Sequence, residues 1–120
     1  MSEKSTNQNN KYTILIKSNS MGSGNDDLGK ILIRGFLNSL IKQEQLPTHI
    51  ILYNAGVLLA VKDSDTAVSM LEMEQKGVQI VLCGTCVDFF QIKEQIAAGE
   101  ISNMAYITSL LIEAPKVIVP

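Results

Sequence analysis

Tryptophan is absent from this 120-residue chain, and only 5% of its residues are aromatic. Because 46% of the residues are nevertheless hydrophobic, the core must be built from aliphatic side chains. No segment approaches the roughly 18 consecutive apolar residues that a membrane span requires. The ten basic residues are scattered singly rather than gathered into a stripe that could follow a phosphate backbone. The sequence therefore predicts that neither a membrane nor a nucleic acid is a partner.

Cysteine and histidine are also scarce, since the chain has two of the first and one of the second. Two cysteines do not make the disulfide framework of a small secreted protein. One cysteine pair and the distant His49 fall short of the four ligands of a tetrahedral metal site. The first ten residues carry no apolar core of a signal peptide. We therefore expect a cytoplasmic protein that binds no metal and no cofactor.

Short β-rich apolar runs alternate with helical patterns along the chain. The polar segment 1–11 is predicted to be a disordered tail, and residues 12–120 to form one α/β domain. The runs lack a two-residue period, which is typical of strands covered on both faces in a parallel sheet. The domain should have three layers around a central, mainly parallel sheet of four or five strands. The runs are YTILIKS (12–18), HIILYN (49–54), GVQIVLC (77–83) and KVIVP (116–120), with EISN (100–103) as the candidate fifth.

The helical patterns predict which side chains face the sheet. In the first helix, capped by Asn25 or Asp26, the predicted inward stripe comprises Leu28, Ile31, Leu32, Gly35, Phe36 and Leu40. In the third, it comprises Phe89, Ile92 and Ile96.

Three loops should leave the carboxyl ends of the strands, where ligands collect in sheets of this kind. The first loop could cradle an anion, but it lacks the glycine spacing of a dinucleotide or phosphate loop. A tight turn that needs glycine and a helix cap explains its composition equally well. The candidate ligand-binding residues in these loops are Asn19, Ser20, Gly22, Gly24, Asn54, Gly56, Gly84 and Thr85.

The third loop, CGTC (83–86), contains both cysteines. Four interpretations compete: a redox dithiol, half of a metal site, a sulfur-carrying thiol, or two small residues packed in a tight turn. A helix that begins near Cys86 would direct its positive end at the loop, an arrangement that lowers the pKa of a thiol. Cys83 and Cys86 are therefore the candidate catalytic residues.

The segments MGSGNDDLG (21–29) and LCGTCVDFF (82–90), together with HIILYNAGVLLAV and GEISNM, resemble the DsrE-like sulfur-relay family. The likeness covers residues 12–120 and is greatest to the carboxyl-terminal domain of YedF-type selenium-metabolism proteins. It implies a flavodoxin-like fold, a homo-oligomer, and a persulfide carried on Cys83 with Cys86 in an auxiliary role. YedF-type proteins usually carry a TusA-like domain ahead of this one. Its absence here implies that the sulfur donor and acceptor are separate proteins, with a TusA-like protein as one candidate.

Two hypotheses from different classes follow. In the first, the protein is a sulfur or selenium relay, a sulfurtransferase-like carrier that needs a nucleophilic, partly exposed thiol and little else. In the second, it is a non-enzymatic binding module in which the glycine-rich loop and YNAGV form a pocket and the cysteines are structural.

Overall fold

A five-stranded parallel sheet forms the centre of the protein in the computed structural model, which describes residues 11–120. The strands lie in the order β4–β3–β2–β1–β5. The predicted fold class is confirmed, and the candidate fifth strand is present. The predicted tail falls, apart from Lys11, outside the described residues. The strands are β1 Thr13–Ile16, β2 His49–Leu52, β3 Gln79–Cys83, β4 Glu100–Ser102 and β5 Val117–Ile118.

Helices cover both faces of this sheet. They are α1 Asp26–Ile41, α2 Ala67–Gln75, α3 Gly84–Phe90 and α4 Met104–Glu113, with 3-10 helices at Asn54–Ala60 and Lys93–Gln95. The chain adds β2, β3 and β4 in one direction, so right-handed crossovers place α1, α2 and α3 on one face. The return from β4 to β5, beside β1, puts α4 on the other face.

Two apolar clusters fill the spaces on either side of the sheet. The larger cluster packs Ile14, Ile50 and Leu82 of the strands against Leu37 of α1 and Met70 of α2. The smaller cluster, here called the Cys83 cluster, lies under α4. Its buried members are Leu15, Ile51, Val81, Cys83 and Ile107. Both faces of the inner strands are therefore buried, which explains their continuous apolar sequence.

The predicted inward stripe of α1 is largely wrong. Leu28, Ile31 and Leu32 are about half exposed, whereas Gly29, Ile33, Leu37 and Leu40 are the buried residues of the helix. This helix has apolar residues on more than one face, so its periodicity fits two orientations, and packing on the sheet selects one of them. An apolar surface consequently remains exposed on α1.

Helix α3 differs from prediction in a similar way. Phe89, predicted to face the core, is 80% exposed, while Val87 and Ile92 are buried. The helix has only seven residues and ends at Phe90, and Gln91 after it adopts a left-handed conformation with φ 57°. The exposed ring of Phe89 therefore lies beside the CGTC segment.

Candidate functional site

Strand β3 passes directly into helix α3 at the CGTC segment. Cys83 is the last residue of the strand and the first residue of the helix is Gly84. A Cβ atom at Gly84 would lie 2.9 Å from the carbonyl oxygen of Ser102, so glycine allows β4 to approach the start of the helix. The absence of a loop here fixes both cysteines relative to the sheet.

Cys83 is buried, with 2% of its surface exposed. It lies in the apolar cluster beneath α4, where Ile51, Val81 and Ile107 are also fully buried. Both cysteines are free thiols. A reagent in solution therefore has no direct path to the Cys83 sulfur in this conformation.

Cys86 is half-buried and occupies the first turn of α3. Its sulfur accepts a hydrogen bond from the backbone N–H of Asn54 at 3.0 Å. Asn54 has a left-handed backbone with φ 51°, a conformation that asparagine tolerates better than most residues. Its side-chain Oδ1 accepts the N–H of Ala55 at 2.8 Å. The local backbone is thus arranged so that one amide donates to the Cys86 sulfur.

The pKa of the Cys86 thiol is raised above its ordinary value. Burial is the largest cause, and the neighbouring Cys83 side chain raises the pKa further. The N–H of Asn54 acts in the opposite direction, because it stabilises the thiolate. The net direction is upward, contrary to the lowering expected from sequence, because burial and the neighbouring Cys83 together outweigh the Asn54 N–H.

Cys86 opens into a cleft of about 250 Å³, here called the aromatic cleft, lined by Asn54, Thr85, Cys86, Phe89 and Phe90. The two phenylalanine rings meet edge to face, with centroids 5.4 Å apart. Sequence reasoning did not assign either ring to the site. The available signal was their spacing, because residues three and four positions after Cys86 lie on the same side of a helix.

The residues of the first loop lie elsewhere. Asn19 lines a separate cleft with Lys30 and Arg34, while Ser20 and Gly22 line another near Pro120. Because β2 lies between β1 and β3, roughly 10 Å separates the ends of these two strands. The structure brings Asn54, Gly84 and Thr85 to the two cysteines and leaves the first loop apart from them.

The glycines of the first two loops have conformational and packing roles. Gly22 and Gly24 have φ angles of 81° and 134°, which few other residues adopt. Gly56 is buried, and a Cβ atom there would overlap the carbonyl oxygen of Ile16 at the end of β1. Gly56 therefore lets the 3-10 helix Asn54–Ala60 pack directly against the carboxyl end of β1. This packing in turn holds Asn54 beside Cys86.

His49 is the first residue of β2 and therefore lies at the amino ends of the strands, opposite the thiols. Its Nδ1 lies 2.9 Å from the hydroxyl of Thr48. Within residues 11–120, no three His, Cys, Asp or Glu side chains are grouped so that they could hold a metal ion. In the same part of the chain, none of the helices combines the length and apolar character needed to cross a membrane.

The fold and the site together define a class of parallel α/β domains that carry a thiol where an inner strand meets a helix. The profile of the DsrE/DsrF-like family matches residues 10–120. The chain therefore belongs to the DsrE/DsrF-like family, and this membership indicates a role related to sulfur relay. A comparison with curated proteins gave no match.

Solved structures show the same fold. The protein of unknown function MTH1491 from Methanobacterium thermoautotrophicum is 18% identical, with a TM-score of 0.64 over 92% of this chain and 98% of its own. The conserved protein of unknown function BT1422 from Bacteroides thetaiotaomicron is 26% identical, with a TM-score of 0.64 over 93% and 96%. The ychN protein from E. coli is 15% identical, with a TM-score of 0.63 over 92% and 98%.

Proposed function

We propose that this protein carries sulfane sulfur as a cysteine persulfide in the CGTC segment and passes it between partner proteins. The observation that carries the proposal is the pair of free thiols where β3 meets α3, one of which lines the aromatic cleft with a backbone amide at its sulfur. Family membership supports the same chemistry. Cys83 is the carrier implied by the resemblance, and Cys86 assists it.

The chemistry requires only a thiolate. A cysteine thiolate of this chain attacks the terminal sulfur of a donor persulfide, R–S–SH. The donor S–S bond breaks, its electron pair leaves with the donor as R–S⁻, and the protein gains Cys–S–SH. Delivery to an acceptor thiol repeats the same exchange in the opposite direction. No oxidant is consumed, because the sulfane sulfur keeps its oxidation state throughout.

The partners in this proposal are sulfur donor and acceptor proteins, with a TusA-like protein among the candidates. An exposed aromatic ring such as Phe89 offers a partner an apolar contact beside the reacting thiol. The proposed location is the cytoplasm, where thiols remain reduced. The likeness to YedF-type proteins extends the proposal to selenium, which forms the analogous perselenide.

Loading with a small-molecule persulfide tests the proposal directly. After incubation with glutathione persulfide, the wild-type protein should gain the mass of one sulfur atom, and dithiothreitol should remove it. The double variant Cys83→Ser/Cys86→Ser should gain none, which intact-mass spectrometry measures. A parallel incubation with a selenium donor shows, by the mass gained, whether the protein takes up selenium as well as sulfur.

A wild-type protein whose folded state takes up no sulfur would refute the relay. The alternative is then a non-enzymatic binding module that uses the cleft for a small ligand or a peptide. In that case both cysteines pack as small apolar residues.

Self-association is a further part of the proposal. The apolar surface of α1 that includes Leu28, Ile31 and Leu32 is the area that a second copy would cover. Light scattering at micromolar concentration should give a mass above the 13.1 kDa of one chain. The variant Ile31→Glu should shift the mass toward one chain, whereas Lys30→Glu, at its exposed neighbour, should not. A wild-type mass of one chain would contradict this prediction.

A further inference from the structure

We infer that Cys86 is the thiol that receives sulfur from outside and that Cys83 is an inner thiol to which the sulfur then moves. The inference rests on the proposed function and assigns an order to its two cysteines. A sulfur atom would enter through the aromatic cleft, reside first on Cys86, and pass one step inward to the Cys83 cluster.

The two thiols differ in their access to solvent. Cys83 is 2% exposed and surrounded by buried aliphatic side chains on the α4 face of the sheet. Cys86 is half-buried and forms part of the cleft wall between Asn54 and the two phenylalanines. A donor persulfide on a protein or a small thiol can therefore reach Cys86 without any opening of the fold.

The two thiols are neighbours in the fold, three residues apart where β3 passes into α3. Cys86 packs against the cluster that contains Cys83. The backbone amide of Asn54 donates a hydrogen bond to the Cys86 sulfur at 3.0 Å. When a persulfide on Cys86 is attacked, that amide stabilises the charge that returns to its sulfur.

The inward step balances without a further reactant. The Cys83 sulfur attacks the terminal sulfur of Cys86–S–SH, and a new S–S bond forms on Cys83. The bond to the Cys86 sulfur breaks, and its electron pair stays on Cys86. The proton lost by Cys83 is taken up by Cys86, so the products are Cys83–S–SH and Cys86–SH. Outward delivery is the reverse exchange, followed by attack of the acceptor thiol at Cys86.

The inner position would protect the sulfur between two partners. The cluster under α4 excludes water and small thiols from Cys83. A persulfide on Cys86 is open to any thiol that enters the cleft, whereas one on Cys83 is reached only through Cys86. The pair would thus combine an accessible receiving site with a shielded holding site.

The single variants Cys83→Ser and Cys86→Ser test this order. Each is loaded with glutathione persulfide, followed by intact mass over time, and then challenged with reduced glutathione. Cys83→Ser should load at the wild-type rate and lose its sulfur about tenfold faster than the wild type. Cys86→Ser should load at least about tenfold more slowly than the wild type, because its remaining thiol is buried.

Circular dichroism establishes that each variant is folded, and Cys83→Ala replaces Cys83→Ser if the buried hydroxyl unfolds the protein. Loading of Cys86→Ser at the wild-type rate would overturn the inference while leaving the relay intact. Equal loss of sulfur from Cys83→Ser and the wild type would overturn the inward step. A wild-type protein that does not load would instead refute the proposed function.

Discussion

Replacing Gly56 with alanine is expected to lower the free energy of unfolding by about 3 kcal/mol. The added Cβ would overlap the carbonyl oxygen of Ile16, a backbone atom at the end of β1 that no rotamer change can move. The 3-10 helix Asn54–Ala60 must then shift away from the sheet, and buried Val57 loses part of its packing. Denaturant unfolding followed by circular dichroism measures the change.

Gly35→Ala is the matched control for this experiment. Gly35 lies within α1, and no atom outside its own helix lies within 4 Å of a Cβ built there. The same substitution should therefore raise the free energy of unfolding by about 0.5–1 kcal/mol, because alanine favours helix more than glycine does. If both variants were equally stable, the close contact at Gly56 would not be the reason for its glycine. A large loss at Gly56 alone supports a packing role rather than the ligand-binding role predicted from sequence.

Alkylation of the folded protein should modify Cys86 about a hundredfold faster than Cys83. Cys86 reacts from its half-buried position, whereas Cys83 requires a local opening, and an opening free energy of about 3 kcal/mol slows a reaction by about that factor. Iodoacetamide labelling followed by peptide mapping measures both rates. Labelling in denaturant is the control, since the two rates should then become similar. Faster labelling of Cys83 in the folded state would contradict the assigned burial.

The alkylation rate of Cys86 should also depend on pH in a defined direction. Since its pKa is raised above the ordinary cysteine value, the thiolate fraction at neutral pH is smaller than in an unstructured peptide. The rate should therefore continue to rise at pH values where an exposed cysteine has reached its maximum. Cys83 is one of the groups that raise this pKa, so the curve of the Cys83→Ala variant should shift to lower pH. An unchanged curve would exclude Cys83 as a cause.

The orientation of the helices illustrates where prediction from sequence failed. Periodicity placed Leu28, Ile31 and Phe89 in the core, and all three are exposed. An apolar stripe indicates that a helix face is buried against something, but the stripe does not say whether that partner is the sheet, another chain or a ligand. The same ambiguity concealed the aromatic cleft, because Phe89 was counted among the core residues.

The prediction that the first loop lies beside the cysteines failed for a different reason. The sequence indicates that the loops after β1, β2 and β3 all leave the same edge of a parallel sheet, and this inference is sound. The sequence does not indicate the strand order, in which β2 lies between β1 and β3. Asn19 and Ser20 therefore line other clefts, while Asn54, on the loop after the adjacent strand β2, reaches Cys86.

The α/β class, a mainly parallel sheet of four or five strands, and the position of Cys83 at the end of the third strand with Cys86 close behind it could all be predicted from the sequence. These features follow from local patterns, since runs of doubly buried strands and intervening helices are encoded within short segments. Which thiol is exposed, which amide contacts it and which aromatic rings flank it became clear only from the folded structure. Those properties depend on strand order and helix rotation, which arise when distant segments pack together and which no local pattern specifies.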